Sequence, residues 1–381
     1  MNKTARRWVY RFERRYDKLK HRYKRWRGYS PVIVEPYMTY GTVDELWVAG
    51  RLLEAKGVEG AFEDSNWKKL VHMMRRYQSA EIPFTEIQLT LGADKRKIYT
   101  DGNGYFHYRW PTPARKDVQQ PWTTLTLQPA DPELPKAKEY TVAEVCIPCN
   151  NAEFGVVSDV DDTIMHTGAT NFLRHTQTVL FNNAHTRVLM PGTVEFYSAL
   201  HKGASGKANN PFFYVSSSPW NIYDLIAEFI RIHNLPKGPV LLKDFGLREH
   251  RWFKDGHENY KTGRIESILK TYPKLKLVLV GDSGQKDVYA YLQVAKDYPD
   301  RILAVYIRDL KPDSRSHKMN AAASEFSDYN VPFAFIRDAT DAVEHAQMLN
   351  LVTDQATQKV KNDAAQDRSD SQKNEPPKKT V

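Results

Sequence analysis

Five aspartates and their spacing carry the first chemical signal in this chain. Asp159, Asp161 and Asp162 fall within Ser158-Asp159-Val160-Asp161-Asp162-Thr163, directly after the apolar run Phe154–Val157. Three carboxylates within four residues repel one another unless a cation joins them. Oxygen ligands of this kind suit Mg2+, which takes few carboxylates and keeps several waters. A single strand-end aspartate would be read as a helix cap, but a cluster asks for a different explanation. Asp282 and Asp287 stand five residues apart in Gly281-Asp282-Ser283-Gly284-Gln285-Lys286-Asp287, behind the apolar Leu277–Val280. A glycine-containing turn of that length lets both carboxylates face one metal. Ser216 follows a third apolar run, Phe212–Val215, where a hydroxyl and a backbone N–H can hold a phosphate oxygen. Ser218 reads as a helix N-cap with Pro219 at the first helical position. Lys261 opens a helical stretch from which its ammonium can reach the same place. Alone, a solvated surface lysine is the simpler account of it.

These residues need a scaffold that gathers them. From about residue 151, apolar strands alternate with helical patterns. Phe154–Val157, Phe212–Val215, Leu277–Val280, Ile302–Ile307 and Phe333–Ile336 are the strands, and Asn221–His233 and Thr262–Thr271 are two of the helices. Strand–helix alternation with short continuous apolar strands predicts a doubly wound α/β domain over 151–350, whose strand carboxyl ends line the site. Residues 44–150 carry strand runs instead: Leu46–Leu53, the alternating Ile87, Leu89 and Leu91, then Trp122–Leu127 and Tyr140–Ile147. Asp101-Gly102-Asn103-Gly104 is a turn signal between two further strands. This pattern predicts a small β-sandwich-like domain. One helix interrupts it, capped by Asp64 or Ser65, with Trp67, Leu70, Val71, Met74 and Tyr77 on one face. Pro31, Pro36 and Gly41 mark residues 29–43 as a linker. Residues 351–381, rich in Gln, Asn, Asp and Lys, are expected to be a disordered tail.

The ordered set of strand-DxDxT, strand-Ser, Lys and strand-GDxxxxD resembles the haloacid dehalogenase superfamily of phosphotransferases. More narrowly, Ser158–Ile164, Tyr214–Trp220 and Gly281–Asp287 resemble the catalytic domain of the actin-patch-associated phosphatidate phosphatase family, over about residues 152–346. Asp162 stands where the wider superfamily usually has Gly, and the narrower family accepts Asp there. The long partner-binding extensions of the yeast-type members are not visible, so no actin role is carried over, and the compact chain is similar to a bacterial member. The resemblance implies a haloacid-dehalogenase-like, Rossmannoid parallel sheet. It makes Asp159 the nucleophile and Asp161 the general acid and base. It implies that Mg2+ is held by Asp159, the Asp161 backbone carbonyl and Asp282, with Asp287 nearby. Ser216 and Lys261 then bind the remaining phosphoryl oxygens, with Lys254 the second choice for the lysine.

The 381 residues carry a formal net charge of +9, and its distribution decides its meaning. Residues 1–28 hold twelve basic residues against two acids, a balance of +10 that leaves −1 for the rest. A basic body that binds nucleic acid is therefore not expected. Trp8, Phe12, Tyr16, Leu19, Tyr23 and Trp26 recur at helical spacing and form one stripe, with most Arg and Lys outside it. An aromatic face with cationic flanks suits an anionic phospholipid surface. Docking on the protein's own body and stacking on RNA are the alternatives. No run of about 18 apolar residues is present, so no spanning helix is expected, and no secretory apolar core is seen at the N-terminus. A cytoplasmic, peripherally membrane-associated protein is the expectation. Cys146 and Cys149 form a CxxC without a second pair, so neither a zinc site nor a redox motif is expected.

The step of 57 residues from Asp159 to Ser216 leaves no room for a large lid, and an open site suits a membrane-borne phosphomonoester. The function expected is Mg2+-dependent hydrolysis of phosphatidate to diacylglycerol. A phosphatase acting on nucleic-acid ends or phosphoproteins, and a non-enzymatic membrane-surface adaptor, are the competing readings.

Overall fold

Runs of Val, Leu and Ile too short for a helix and apolar on both sides can bury both faces only in the middle of a layered sheet. The computed structural model describes residues 32–54, 82–112, 118–131, 134, 140–160, 190–243, 257–283, 287–309 and 317–373. In it such runs become six parallel strands. They are β9 (Gly155–Asp159), β10 (Phe212–Pro219), β11 (Val240–Lys243), β12 (Leu277–Asp282), β13 (Ile302–Arg308) and β14 (Phe333–Ile336). The strand order is β11-β10-β9-β12-β13-β14, and every adjacent pair is parallel. The first strand thus lies in the middle, the next two extend to one side and the last three to the other. Val156, Val157, Val278 and Leu279 are fully buried.

The connecting helices are α1 (Thr193–Lys202), α2 (Tyr223–Ile232), α3 (His257–Thr271), α4 (Asp287–Asp297), α5 (His317–Ser324), α6 (Ala339–Met348) and α7 (Asp354–Lys373). Gly192 precedes α1 at φ 76, and a Cβ there would lie 2.9 Å from the Ala364 Cβ. Its N–H donates to Asp367 of α7 at 3.0 Å. Residues 354–373 are therefore helix, correcting the disordered tail expected over 351–381. The reason is a stripe of small and apolar residues, Thr357, Val360 and Ala364, buried at helical spacing beneath a polar outer surface. Among the described residues no helix is long and apolar enough to cross a membrane.

The remaining strands are β1 (Val32–Pro36), β2 (Thr39–Tyr40), β3 (Glu45–Glu54), β4 (Glu86–Leu91), β5 (Asp94–Tyr99), β6 (Tyr105–Pro111), β7 (Trp122–Pro129) and β8 (Thr141–Cys146). β1, β3 and β6 are neighbours in one sheet, and β8, β7, β4 and β5 are neighbours in another. The Asp101–Gly104 turn leads from β5 in the second to β6 in the first, so it joins two sheets and closes no hairpin. The Asp101 carboxylate holds it by accepting from the Asn103 and Tyr105 amides at 2.8 and 3.0 Å. The helix expected near residues 64–77 and the one over 1–28 lie outside the described residues.

The chain divides into two compact units, one of Met1–Met38, Trp47–Trp110 and Thr123–Val145, the other of Thr39–Leu46, Pro111–Trp122 and Cys146–Val381. The 29–43 linker is corrected accordingly. Val32-Ile33-Val34 is β-branched and pairs antiparallel with β3, with the Pro at the strand end. Tyr40 and Gly41 belong to the second unit. The Tyr40 ring meets Phe213 edge-on at 5.7 Å, and the Tyr272 hydroxyl donates to the Gly41 carbonyl at 2.8 Å. Cys146 and Cys149 are free and buried, and burial pushes the Cys146 thiol up to about 12. A thiol held protonated is a poor nucleophile.

Candidate active site

The order of the parallel sheet changes direction between β9 and β12, and a crevice opens outside the carboxyl ends of strands at such a point. Asp159 is the last residue of β9 and Asp282 the last of β12. Their strands pair in parallel with Ser158 opposite Val280, so Asp159 stands level with Gly281 and Asp282 one residue further along the neighbouring strand, both at the same end of the sheet. Asp287 is the first residue of α4, is fully buried, and turns back onto β12. One carboxylate oxygen from each of these three residues can be chosen so that all lie within 4.8 Å of one another.

Two local features make this possible. The first is Gly281, where a Cβ would lie 2.6 Å from Asp287 Oδ2 and 3.0 Å from the Tyr291 ring. Only a residue without a side chain lets the Asp287 carboxylate reach the β12 backbone, where it accepts from the Asp282 N–H at 3.3 Å. The second is Lys261 on α3, which is 4% exposed. Its Nζ lies 2.6 Å from Asp159 Oδ1 and 2.6 Å from Asp287 Oδ1. One ammonium thus bridges two carboxylates, and a third stays within reach. Three carboxylates and one lysine leave the cluster at −2 when all are ionised. Burial makes that excess costly without a further cation. The donor set is all oxygen, which fits a hard divalent ion such as Mg2+.

Two tyrosines that no motif marks complete the surroundings. Tyr197 of α1 and Ser158 share a hydrogen bond of 2.8 Å, and Ser158 Oγ also donates to the Asp159 carbonyl at 3.0 Å. Since Ser158 has one hydroxyl proton, Tyr197 is the donor to it. Burial pushes the Tyr197 hydroxyl up to about 12, with the Asp159 charge adding and the Ser158 bond opposing. Tyr291 of α4 donates to the Val280 carbonyl at 2.9 Å. Burial, then the charges of Asp287, Asp159 and Asp282, hold it well above the usual phenol range. Tyr291 could have been found, because it follows Asp287 by four residues on one helix face. Tyr197 had no such signal. Ser158 and Asp159 are consecutive and point to opposite faces, so α1 and α3 cover opposite sides of the sheet.

Ser216 is fully buried in β10, one residue past the position that pairs with Asp159. Its Oγ accepts from the Ser218 N–H at 3.0 Å. The Ser218 cap is corrected: β10 runs on to Pro219, its register with β11 shifts between Val215 and Pro219, and the residue preceding α2 is Ile222, without a side-chain cap. Asp161, Asp162 and Lys254 lie outside the described residues. Asp159, Asp282, Asp287 and Lys261 are brought together.

Residues 154–309 match the family described as "Phosphatidate phosphatase APP1, catalytic domain". Phosphatidate phosphatase APP1 of Saccharomyces cerevisiae is 38% identical over 154 residues, 40% of this chain and 25% of that protein. An uncharacterized protein of Schizosaccharomyces pombe is 26% identical over 161 residues, 42% of this chain and 25% of that protein. The chain thus spans about a quarter of the length of these curated relatives. A carbohydrate acetylesterase from Xanthomonas citri aligns over 72% of this chain and 68% of its own at TM-score 0.26 and 8% identity, a likeness that carries no argument. Over residues 154–309 the chain is therefore similar to the APP1 catalytic domain.

Proposed function

We propose that this chain is a divalent-metal-dependent phosphatase of phosphomonoesters, and that phosphatidate at an anionic membrane surface is its substrate. The observation that carries the reading is the group of Asp159, Asp282 and Asp287 around Lys261 at the point where the sheet changes direction. The catalytic-domain match supports the choice of substrate. The sheet is read as the doubly wound haloacid-dehalogenase-like type.

Asp159 is the nucleophile. Its carboxylate attacks phosphorus, the bond from phosphorus to the lipid oxygen breaks, and an aspartyl-phosphate forms. Asp161 gives its proton to the departing alcohol. Asp161 then takes a proton from water, which attacks phosphorus, and the bond to Asp159 breaks to release phosphate. Lys261 and Ser216 bind phosphoryl oxygens. Lys261 also orients Asp159 by holding one of its oxygens. Asp159, Asp282 and Asp287, with the Asp161 carbonyl, would hold Mg2+, which when bound neutralises charge on the transferring phosphoryl group. The basic aromatic segment 1–28 places the enzyme on the lipid surface, on the cytoplasmic side.

The test is phosphate release by the full chain, with Mg2+ and with EDTA. Substrates are phosphatidate in vesicles, 3′- and 5′-phosphorylated oligonucleotides, and soluble phosphomonoesters. Release from vesicles that EDTA abolishes is the expected result. Release from oligonucleotides alone would replace the lipid reading, and release from nothing would leave a surface adaptor.

A further inference from the structure

Arg308 stands at the catalytic edge of the sheet and has no part in the chemistry above. It is the last residue of β13, and the parallel register sets it opposite Asp282 on β12. Neighbouring strands lie about 4.8 Å apart, so Arg308 is one strand spacing outside the carboxylate cluster. Residues paired in parallel register point to the same face. The same ladder matches Ser158 with Val280 and Val280 with Tyr306, so Asp282 and Arg308 lean toward the face that Tyr197 covers. The guanidinium is near enough to Tyr197 that its charge acts against the upward push of burial on that hydroxyl.

Two facts distinguish this cation from Lys261. Lys261 is held between Asp159 and Asp287. Arg308 is half-buried, and its guanidinium makes no hydrogen bond or ion pair among the described residues. A partly buried guanidinium left unpaired one strand from three carboxylates costs folding stability. It is explained if its partner arrives with the substrate. Charge points the same way. With a divalent ion in place, a phosphomonoester dianion entering beside three carboxylates and one lysine leaves the site at −2. A second protein cation halves that excess. Arginine is also the side chain whose planar fork fits two phosphate oxygens at once.

We propose that Arg308 is a substrate-binding residue that takes the non-bridging oxygens of the phosphomonoester from the β13 side, opposite Ser216. The inference rests on the phosphatase reading and adds a residue that the motifs do not contain. It is tested in the full chain with Mg2+ by Arg308→Gln and Arg308→Lys. The measurements are KM and kcat on vesicle-borne and soluble phosphomonoesters, the inhibition constant of inorganic phosphate, and thermal melting. R308Q is expected to raise KM and the phosphate inhibition constant together by about 10- to 100-fold, the worth of a charged hydrogen bond. Its kcat and melting temperature should change little, and R308K should recover part of the loss. An unchanged phosphate constant in folded R308Q would overturn the proposal, and so would a fall in kcat alone. If no phosphomonoester is hydrolysed, the phosphatase reading fails separately. Calorimetric titration of inorganic phosphate into wild type and R308Q then decides: weaker binding to R308Q upholds the assignment, and equal binding removes it.

Discussion

Both units of the molecule bury charge, and they do so in different ways. In the β-rich unit, Arg51 and Glu35 face each other across the β1–β3 ladder and form an ion pair with both side chains almost wholly buried. Each charge is answered by its cross-strand partner, an arrangement that suits a group with nothing to bind. In the catalytic unit, Lys261 answers Asp159 and Asp287, and Asp282 joins them as a third acid. The lesson is that buried charge alone does not mark a site. The mark is charge left in excess at an edge where strands end.

The contrast can be broken most forcefully at Asp159. Asp159→Asn is expected to lower phosphate release by about a thousand-fold or more, since it removes the carboxylate proposed as the nucleophile. Its melting temperature should hold or rise, because one of three crowded carboxylates has been neutralised. Turnover and calorimetry on the same sample check both halves. Arg51→Met is the mirror experiment. It removes the cation paired with buried Glu35 and should cost about 3–5 kcal/mol of stability, while turnover per folded molecule stays near wild type. A catalytic loss in R51M exceeding its unfolded fraction would erase the distinction between the two regions.

Smaller changes sharpen it. Gly281→Ala places a methyl 2.6 Å from Asp287 Oδ2. Overpacking of that kind costs about 1–3 kcal/mol. A displaced carboxylate should lower kcat by about 10- to 100-fold, and weaker Mg2+ activation would show that the carboxylate moved. Tyr197→Phe removes one hydrogen bond behind Asp159 and should cost about 0.5–1.5 kcal/mol, with less than a tenfold loss of activity. Because burial holds Tyr197 near 12, it stays a neutral donor through pH 9. Wild type and Y197F should therefore have pH–rate profiles of the same shape, and a shifted profile would give Tyr197 a proton-transfer role.

Much of the catalytic unit was legible because two periodicities coincide there. Short apolar runs announce parallel strands, and the polar residue after each run is the one at the strand's carboxyl end. That is why Asp159 and Asp282 could be placed before any fold was known. The Gly281–Asp287 spacing was legible for a physical reason that the structure supplies, the approach of Asp287 to a residue without a Cβ. What failed to read were places where composition misled. Prolines made residues 29–43 look like a linker, although Val32–Pro36 pairs with β3. Polar residues made 351–381 look unstructured, although Thr357, Val360 and Ala364 are buried. β11 was missed because its apolar run is only Val240-Leu241-Leu242, set between Pro239 and Lys243. Tyr197 was missed because it reaches the site through Ser158, and contacts between distant elements leave no spacing to find.

The bond between Asp367 and the Gly192 amide has a practical consequence for anyone shortening this protein. A chain stopped at Asn350 would lose α7, strip the cover from Gly192 and expose the entrance of α1, the helix that carries Tyr197 to Ser158. Trimming the polar C-terminus back through α7 is thus expected to lower turnover from a distance, by uncovering the start of the helix that carries Tyr197.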